Sequence, residues 1–161
     1  MTKPLTVAFT GHRTYDGKAN ATLRATIRDL YHRGARHFRV GMAEGFDIAA
    51  GVVLVELSRE LCDIDIEAYI PWPRFSARFN PASLELYNTI LQHANVIRYA
   101  SEEYHRGVFH RRNDMLVDGA DFAIAWWDGT QSGTGYTVKR ARANGARVIN
   151  LYPQTQLSMP L

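Results

Sequence analysis

The sequence predicts an α/β fold, a doubly wound and mainly parallel sheet with helices on both faces. Six short apolar runs, rich in β-branched residues, recur along the chain. Their starts lie roughly 25 to 32 residues apart, which is the length of one strand and one crossover helix. Apolar residues at helical spacing lie between the runs. This alternation is typical of a parallel sheet that is covered on both faces.

Each element has its own signal. The predicted strands are the apolar runs 5–10, 37–41, 66–70, 95–100, 121–127 and 147–152. The intervening helices are predicted by stripes of residues at helical spacing, namely Leu23, Ile27 and Leu30; Ile48, Val52 and Val55; Leu84, Tyr87 and Leu91; Phe109, Leu116 and Ala120; Thr137 and Ala141. Asn144 and Gly145 form a stop signal for the last helix.

Composition favours one globular domain over residues 1–161, with a core from about residue 5 to residue 152. Cys62 is the one cysteine, so no internal disulfide framework is expected and a cytoplasmic location fits best. No apolar run suits a membrane span, and the first residues lack the apolar segment of a signal peptide. The net charge of +3 is small for a nucleic-acid binder, so a nucleic-acid partner is not expected.

The loops that follow the strands are where a ligand is expected, because open parallel sheets bind ligands beyond the carboxyl ends of their strands. The first strand ends in Gly11, His12 and Arg13. In the functional interpretation, Gly11 lets a ligand approach the backbone, Arg13 contacts an anion and His12 supports it. In the alternative, the two basic side chains tie the loop to neighbouring acids.

Two further loops carry glycine immediately before a helix, where free backbone N–H groups and the helix dipole favour an anion. The candidate ligand-binding residues in these loops are Gly41, Glu44, Gly45 and Asp47 in "GMAEGFD", and Asp128, Gly129, Ser132, Gly133 and Thr134 in "WWDGTQSGTGYT". Neither loop matches a Walker loop or the dinucleotide fingerprint, and no cofactor is expected. Together the three loops predict a phosphate-bearing ligand.

Three carboxylates have open roles. Asp47 is either a helix-start residue that favours the dipole or an acceptor for a ribose hydroxyl. Glu44 is the better candidate for hydrolysis only if it enters the pocket. Asp128 is a third candidate, or a plain turn residue.

Trp72, in "PWPRFSARFNP", either stacks on a base or packs against the sheet edge.

His105 and His110 are spaced five residues apart, a spacing that does not place both on one helix face, so no structural metal is expected.

Taken in order, "GHR", "GMAEGFD", "RRND" and "DFAIAWWDGTQSGT" resemble the YpsA-like proteins of the SLOG superfamily, which also contains the LOG phosphoribohydrolases and the DprA proteins. The resemblance covers about residues 5 to 152. It implies a Rossmann-like fold and a pocket for a nucleotide or an ADP-ribose-like molecule. It also places Arg112 and Asn113 of "RRND" at the pocket, and it implies a homodimer.

LOG enzymes hydrolyse the N-glycosidic bond of nucleoside monophosphates with an arginine and a glutamate. Arg112 matches the arginine by its spacing before Asp121, but Tyr136 and Thr137 stand where the glutamate is expected. If the protein is an enzyme, Glu44, Asp47 and Arg112 are the catalytic candidates. The missing glutamate favours a binding or sensor module over an N-glycoside hydrolase, and a DNA-associated protein is the third alternative.

Overall fold

The computed structural model describes residues 3–153. Its strands are β1 (Leu5–Gly11), β2 (Ala35–Val40), β3 (Asp65–Ile70), β4 (Val96–Tyr99), β5 (Phe122–Trp126) and β6 (Arg147–Asn150). Its α-helices are α1 (Asn20–His32), α2 (Phe46–Leu57), α3 (Pro81–His93), α4 (Val108–Val117) and α5 (Gly133–Ala143). A short 3₁₀ helix, Phe75–Arg78, lies in the loop between β3 and α3.

All six strands form one parallel sheet in the order β4-β3-β2-β1-β5-β6. The predicted fold class is confirmed. The chain moves outward from β1 to β4, then returns to the other side of β1 and continues through β5 to β6. Because parallel crossovers are right-handed, this reversal places the first three helices on one face and the last two on the other.

The two faces are packed differently. The larger core joins β1 and β2 to α1, α2 and α3 through side chains such as Phe9, Phe38 and Leu54. The smaller core, beneath α4 and α5, contains buried alanines at positions 8, 123 and 141. Small side chains at these positions let the two helices approach the sheet closely. Every helical stripe predicted from periodicity falls on one of the five helices, except that Ala120 lies beyond the end of α4.

The reversal in strand order creates a crevice between the carboxyl ends of β1 and β5. These two strands are neighbours through the register from Val7 opposite Phe122 to Gly11 opposite Trp126. The loops that leave them diverge to opposite faces of the sheet, so a crevice forms where they part. The strand order therefore positions the candidate site between these loops.

Candidate functional site

A cavity of about 300 Å³ lies at this switch point, and we call it the switch-point cavity. Residues from the end of β1, from the loops after β1 and β2, from the start of α2, from α4 and from the start of α5 line it. They are Thr10, Gly11, His12, Arg13, Ala43, Asp47, Phe109, Arg112, Asn113, Leu116, Ser132, Gly133 and Thr134.

Most residues predicted to bind a ligand line this cavity, which lies at the end of the sheet where a ligand is expected, and their role in binding stays a prediction. Those that line it are Gly11, His12, Arg13, Asp47, Arg112, Asn113, Ser132, Gly133 and Thr134. The predicted residues outside the lining are Gly41, Glu44, Gly45, Trp72, Asp128 and Gly129.

The N-terminus of α5 opens into the cavity. Ser132 caps this helix, because its Oγ accepts a hydrogen bond from the amide of Gly135 at 3.1 Å. The amides of Gly133 and Thr134 have no acceptor within the helix. A side chain added at Gly133 would meet no atom within 4 Å. The positive end of the helix dipole and the N–H groups of these two lining residues therefore lie at the cavity.

Arg112 holds α4 against the sheet from beneath the cavity. Only 6% of its surface is exposed. Its Nε donates to Oδ1 of Asn113 at 2.9 Å, and its Nη1 donates to the carbonyl oxygens of Gly41 and, at 3.5 Å, Tyr69. Burial lowers the pKa of the guanidinium, and the nearby Asp47 carboxylate opposes that shift. Arg112 thus uses its Nε and Nη1 atoms as hydrogen-bond donors within the protein.

Asp47 is the carboxylate of the cavity lining. Its side chain is buried, and its Oδ2 accepts a hydrogen bond from the amide of Ala43 at 3.2 Å. Its Oδ1 is buried and has no partner among the described residues. Burial raises the pKa of Asp47 to about 6, although the charge of Arg112, the amide of Ala43 and the charge of Arg13 each lower it. The cavity therefore holds a carboxyl group that titrates near neutral pH.

His12 is fixed by Asp128. The Nε2 atom of His12 lies 2.9 Å from Oδ1 of Asp128 and 3.1 Å from its amide nitrogen. The same carboxylate oxygen accepts hydrogen bonds from the hydroxyl and the amide of Thr130, which, with His12, lower the pKa of Asp128. Asp128 thus orients the imidazole at the cavity and organises its own turn.

Gly11, at the end of β1, and the two glycines between β2 and α2 serve packing. A Cβ at Gly11 would lie 2.5 Å from the ring of Phe46, and one at Gly41 would lie 2.8 Å from Oδ2 of Asp47. Gly45 has a φ of +90°, and a Cβ there would lie 2.5 Å from the Cα of Arg13. Each of these glycines accommodates a neighbouring protein group.

Glu44 and Trp72 lie outside the cavity lining, and each contacts other side chains of the protein. Glu44 accepts hydrogen bonds from the backbone and the side chain of Asn80, at 3.4 and 3.1 Å. Trp72 belongs to an aromatic cluster that also contains Phe75 and Phe109. Thr137, which stands near the expected position of the LOG glutamate, is fully buried and donates to the carbonyl of Gly133 within its own helix.

Sequence reasoning missed Phe109 and Leu116 as cavity residues, along with Thr10 and Ala43. Phe109 and Leu116 were assigned to the helix stripe alone. Their spacing from Arg112 could have revealed them, because positions 109, 112, 113 and 116 follow the i, i+3, i+4, i+7 pattern of one helix face.

One group of side chains outside the cavity has the composition of a metal site. His37 Nδ1 lies 3.3 Å from Asp65 Oδ2 and 3.0 Å from Glu67 Oε2. The side chain of Arg39 also approaches Glu67, at 3.8 Å, and competes for that carboxylate. The absence of a structural metal therefore stays a prediction.

Among residues 3–153, no helix is long and apolar enough to cross a membrane.

The protein is an open α/β protein with a cavity at the switch point of a parallel sheet. The family model described as the YspA SLOG family (YpsA) matches residues 7–159, and the chain belongs to this family. No curated protein matches.

Two solved structures share the fold. DNA processing protein A from Helicobacter pylori, described for its single-stranded DNA binding mode, is 21% identical with a TM-score of 0.70, over 96% of this chain and 67% of the other. DNA processing protein A (DprA) from Streptococcus pneumoniae is 19% identical with a TM-score of 0.68, over 96% of this chain and 52% of the other. The chain thus spans about two thirds and about half of their lengths.

The packing role of Gly11 predicts a contrast between two Gly→Ala variants. Gly11→Ala should lower the free energy of unfolding by about 1 to 3 kcal/mol, because its Cβ overlaps the ring of Phe46. Gly133→Ala should leave it unchanged or slightly higher, because its Cβ enters open space. Urea denaturation of both variants measures the difference. Equal stability of the two would contradict the packing assigned to Gly11.

The raised pKa of Asp47 predicts a pH-dependent stability. The folded state binds the Asp47 proton more tightly than the unfolded chain, so the contribution of Asp47 to the free energy of unfolding should fall as pH rises from about 4 to about 6. Asp47→Asn should remove about 1 to 3 kcal/mol of this fall. Denaturation curves between pH 4 and pH 7 measure it, with Asp29→Asn on α1 as the control. Parallel pH profiles for wild type and Asp47→Asn would show that the carboxyl group is not perturbed.

Proposed function

We propose that the protein binds the phosphate group of a nucleotide-derived ligand, such as an ADP-ribose-like molecule, and acts as a binding or sensor module. The observation that carries this proposal is the N-terminus of α5, whose first residues, Gly133 and Thr134, line the switch-point cavity together with Arg13. An anion there would accept hydrogen bonds from the backbone and neutralise an exposed guanidinium.

The charges of the lining support an anionic ligand. Arg13 and Arg112 outweigh the one lining carboxylate, Asp47, even when that carboxylate is ionised. Arg112 contributes chiefly through its charge, because its Nε and Nη1 atoms donate to protein acceptors. Arg13 is exposed, so its side chain can adjust to a phosphate that enters from solvent. The unpartnered Oδ1 of Asp47 suits a hydroxyl donor from a sugar.

A second candidate function is N-glycoside hydrolysis, and Asp47 is the observation that favours it. A carboxyl group with a pKa of about 6 is suited to proton transfer near neutral pH. Glu44 and Asp128 lie outside the cavity lining. Glu44 accepts a hydrogen bond from Asn80, and Asp128 is held by His12 and Thr130. Asp47 is thus the carboxylate of the three best placed to act on a bound nucleotide.

DNA binding and self-association rest on likeness alone. The structural neighbours include a protein described for binding single-stranded DNA, but their identity to this chain is low. The net charge of +3 is small for binding a polyphosphate backbone, which favours a small-molecule ligand over DNA. A homodimer is proposed on the resemblance to LOG enzymes.

The phosphate proposal predicts that AMP binds more tightly than adenosine. Gly133→Asp should weaken AMP binding at least about tenfold, since the new carboxylate faces the phosphate. It should not destabilise the fold, because an acid at a helix N-terminus is favourable. Isothermal titration calorimetry measures the affinities. Gln92→Glu, an exposed site near the C-terminus of α3, makes the same charge change as the control. Equal affinity of wild type for AMP and adenosine would overturn the phosphate site.

The binding-module interpretation predicts little or no release of free base from AMP, GMP, CMP or UMP. Loss of the family carboxylate removes on the order of 10² to 10⁴-fold in rate. Chromatography after long incubation with micromolar protein measures the products. Efficient base release would instead favour the hydrolase, and Asp47→Asn should then abolish it while Glu44→Gln should not.

A further inference from the structure

An aromatic cluster borders the switch-point cavity. Trp72 contacts Phe75, Tyr104 and Phe109 with ring centroids 5.4, 5.3 and 5.7 Å apart. Phe109 also contacts Tyr104 at 6.5 Å. All four contacts are edge-to-face. Because Phe109 also lines the cavity, the cluster continues directly from the cavity wall to the protein surface.

Tyr104 is the exposed end of this cluster. It is 60% exposed, the largest exposure among the large hydrophobic side chains that the structure describes. Within residues 3–153, its two ring contacts, with Trp72 and Phe109, are both edge-to-face, and no ring is stacked in parallel on it. Aromatic rings favour offset parallel stacking as well as edge-to-face contacts, and no stacking partner of Tyr104 is found among the described residues.

The segment that carries Tyr104 is tied to the end of β3. The amide of Ser101 donates to the carbonyl of Pro71 at 3.0 Å, and Nε of Arg111 donates to the carbonyl of Ala100 at 2.6 Å. The amide of Val108 donates to the carbonyl of His105 at 3.1 Å, at the start of α4. One end of the segment is therefore joined to the residue after β3 and the other to the start of α4.

The size of the cavity limits what it can enclose. A volume of about 300 Å³ is at the lower end of the range for small-molecule sites. Phe109 belongs to the cavity lining and its ring contacts Tyr104, so a nucleotide that extends from α5 along Phe109 directs its base toward Tyr104.

We infer that Tyr104, supported by Trp72 and Phe109, forms a stacking subsite for the base of a nucleotide whose phosphate occupies the switch-point cavity. This inference rests on the proposed function and assigns the ligand class more narrowly, as a molecule with a nucleobase and not a bare sugar phosphate. Aromatic side chains accept any base on their face, so the subsite provides affinity with little choice among bases.

The test compares AMP with ribose 5-phosphate, which lacks only the base, by isothermal titration calorimetry. Wild type should bind AMP about tenfold more tightly. Tyr104→Ala should remove most of this difference and leave the affinity for ribose 5-phosphate unchanged, and Tyr104→Phe should retain it. Tyr99→Ala, at an exposed tyrosine of β4, is the matched control and should behave as wild type.

Three outcomes would overturn the subsite. Equal wild-type affinities for AMP and ribose 5-phosphate would show that the base contributes nothing, while leaving the phosphate site intact. Equal losses for both ligands in Tyr104→Ala would show that Tyr104 acts on the cavity as a whole. Absence of binding by both ligands would reject the proposed function and the subsite together. Circular dichroism of Tyr104→Ala separates these results from misfolding.

Discussion

The burial of Arg112 is the constraint on which the candidate site depends. Its guanidinium joins α4 to the carbonyl groups of Gly41 and Tyr69, at the ends of β2 and β3. The same turn of α4 presents Phe109 and Asn113 to the cavity. A buried cation is costly unless it is hydrogen-bonded and compensated, and carbonyl oxygens together with Asp47 meet that need here.

This arrangement explains the unusual state of Asp47. The carboxyl group lies in the same buried region as Arg112, with Ala43 as its one described hydrogen-bond donor. Burial favours its neutral form, whereas Arg112 and Arg13 favour its charged form, and a pKa of about 6 is the result. The cavity thus keeps a positive balance that suits a phosphate. It also keeps an unpartnered acceptor that suits a hydroxyl or a proton transfer.

Much of the fold could be predicted from the sequence because its signals are local. Apolar runs and helical stripes depend on neighbours along the chain, and the carboxyl ends of parallel strands must share one edge. Residues at three loop ends, among them Arg13, Asp47 and Gly133, were therefore placed together correctly. Ala120 was misplaced because the stripe extends past Gly119, whose φ of +81° follows the end of α4 at Val117.

The parts that could not be predicted depend on contacts between distant residues. Gly45 and Gly133 give the same signal in the sequence, a glycine before a helix, yet a Cβ at Gly45 would meet the backbone of Arg13 and one at Gly133 would meet nothing within 4 Å. Nothing near Glu44 indicates that Asn80 binds its carboxylate. No pattern in the sequence marks Tyr104, because its contacts with the rings of Trp72 and Phe109 form only on folding.

The most direct test of the account is a ¹H–¹⁵N NMR titration of the labelled protein with AMP. A phosphate at the N-terminus of α5 accepts hydrogen bonds from the Gly133 and Thr134 amides, so their proton resonances should move downfield, with smaller changes at Arg13. Amides of α3, on the other face of the sheet, should stay unchanged. Saturable binding of AMP with unshifted Gly133 and Thr134 amides would contradict the placement of the phosphate and the account built on it.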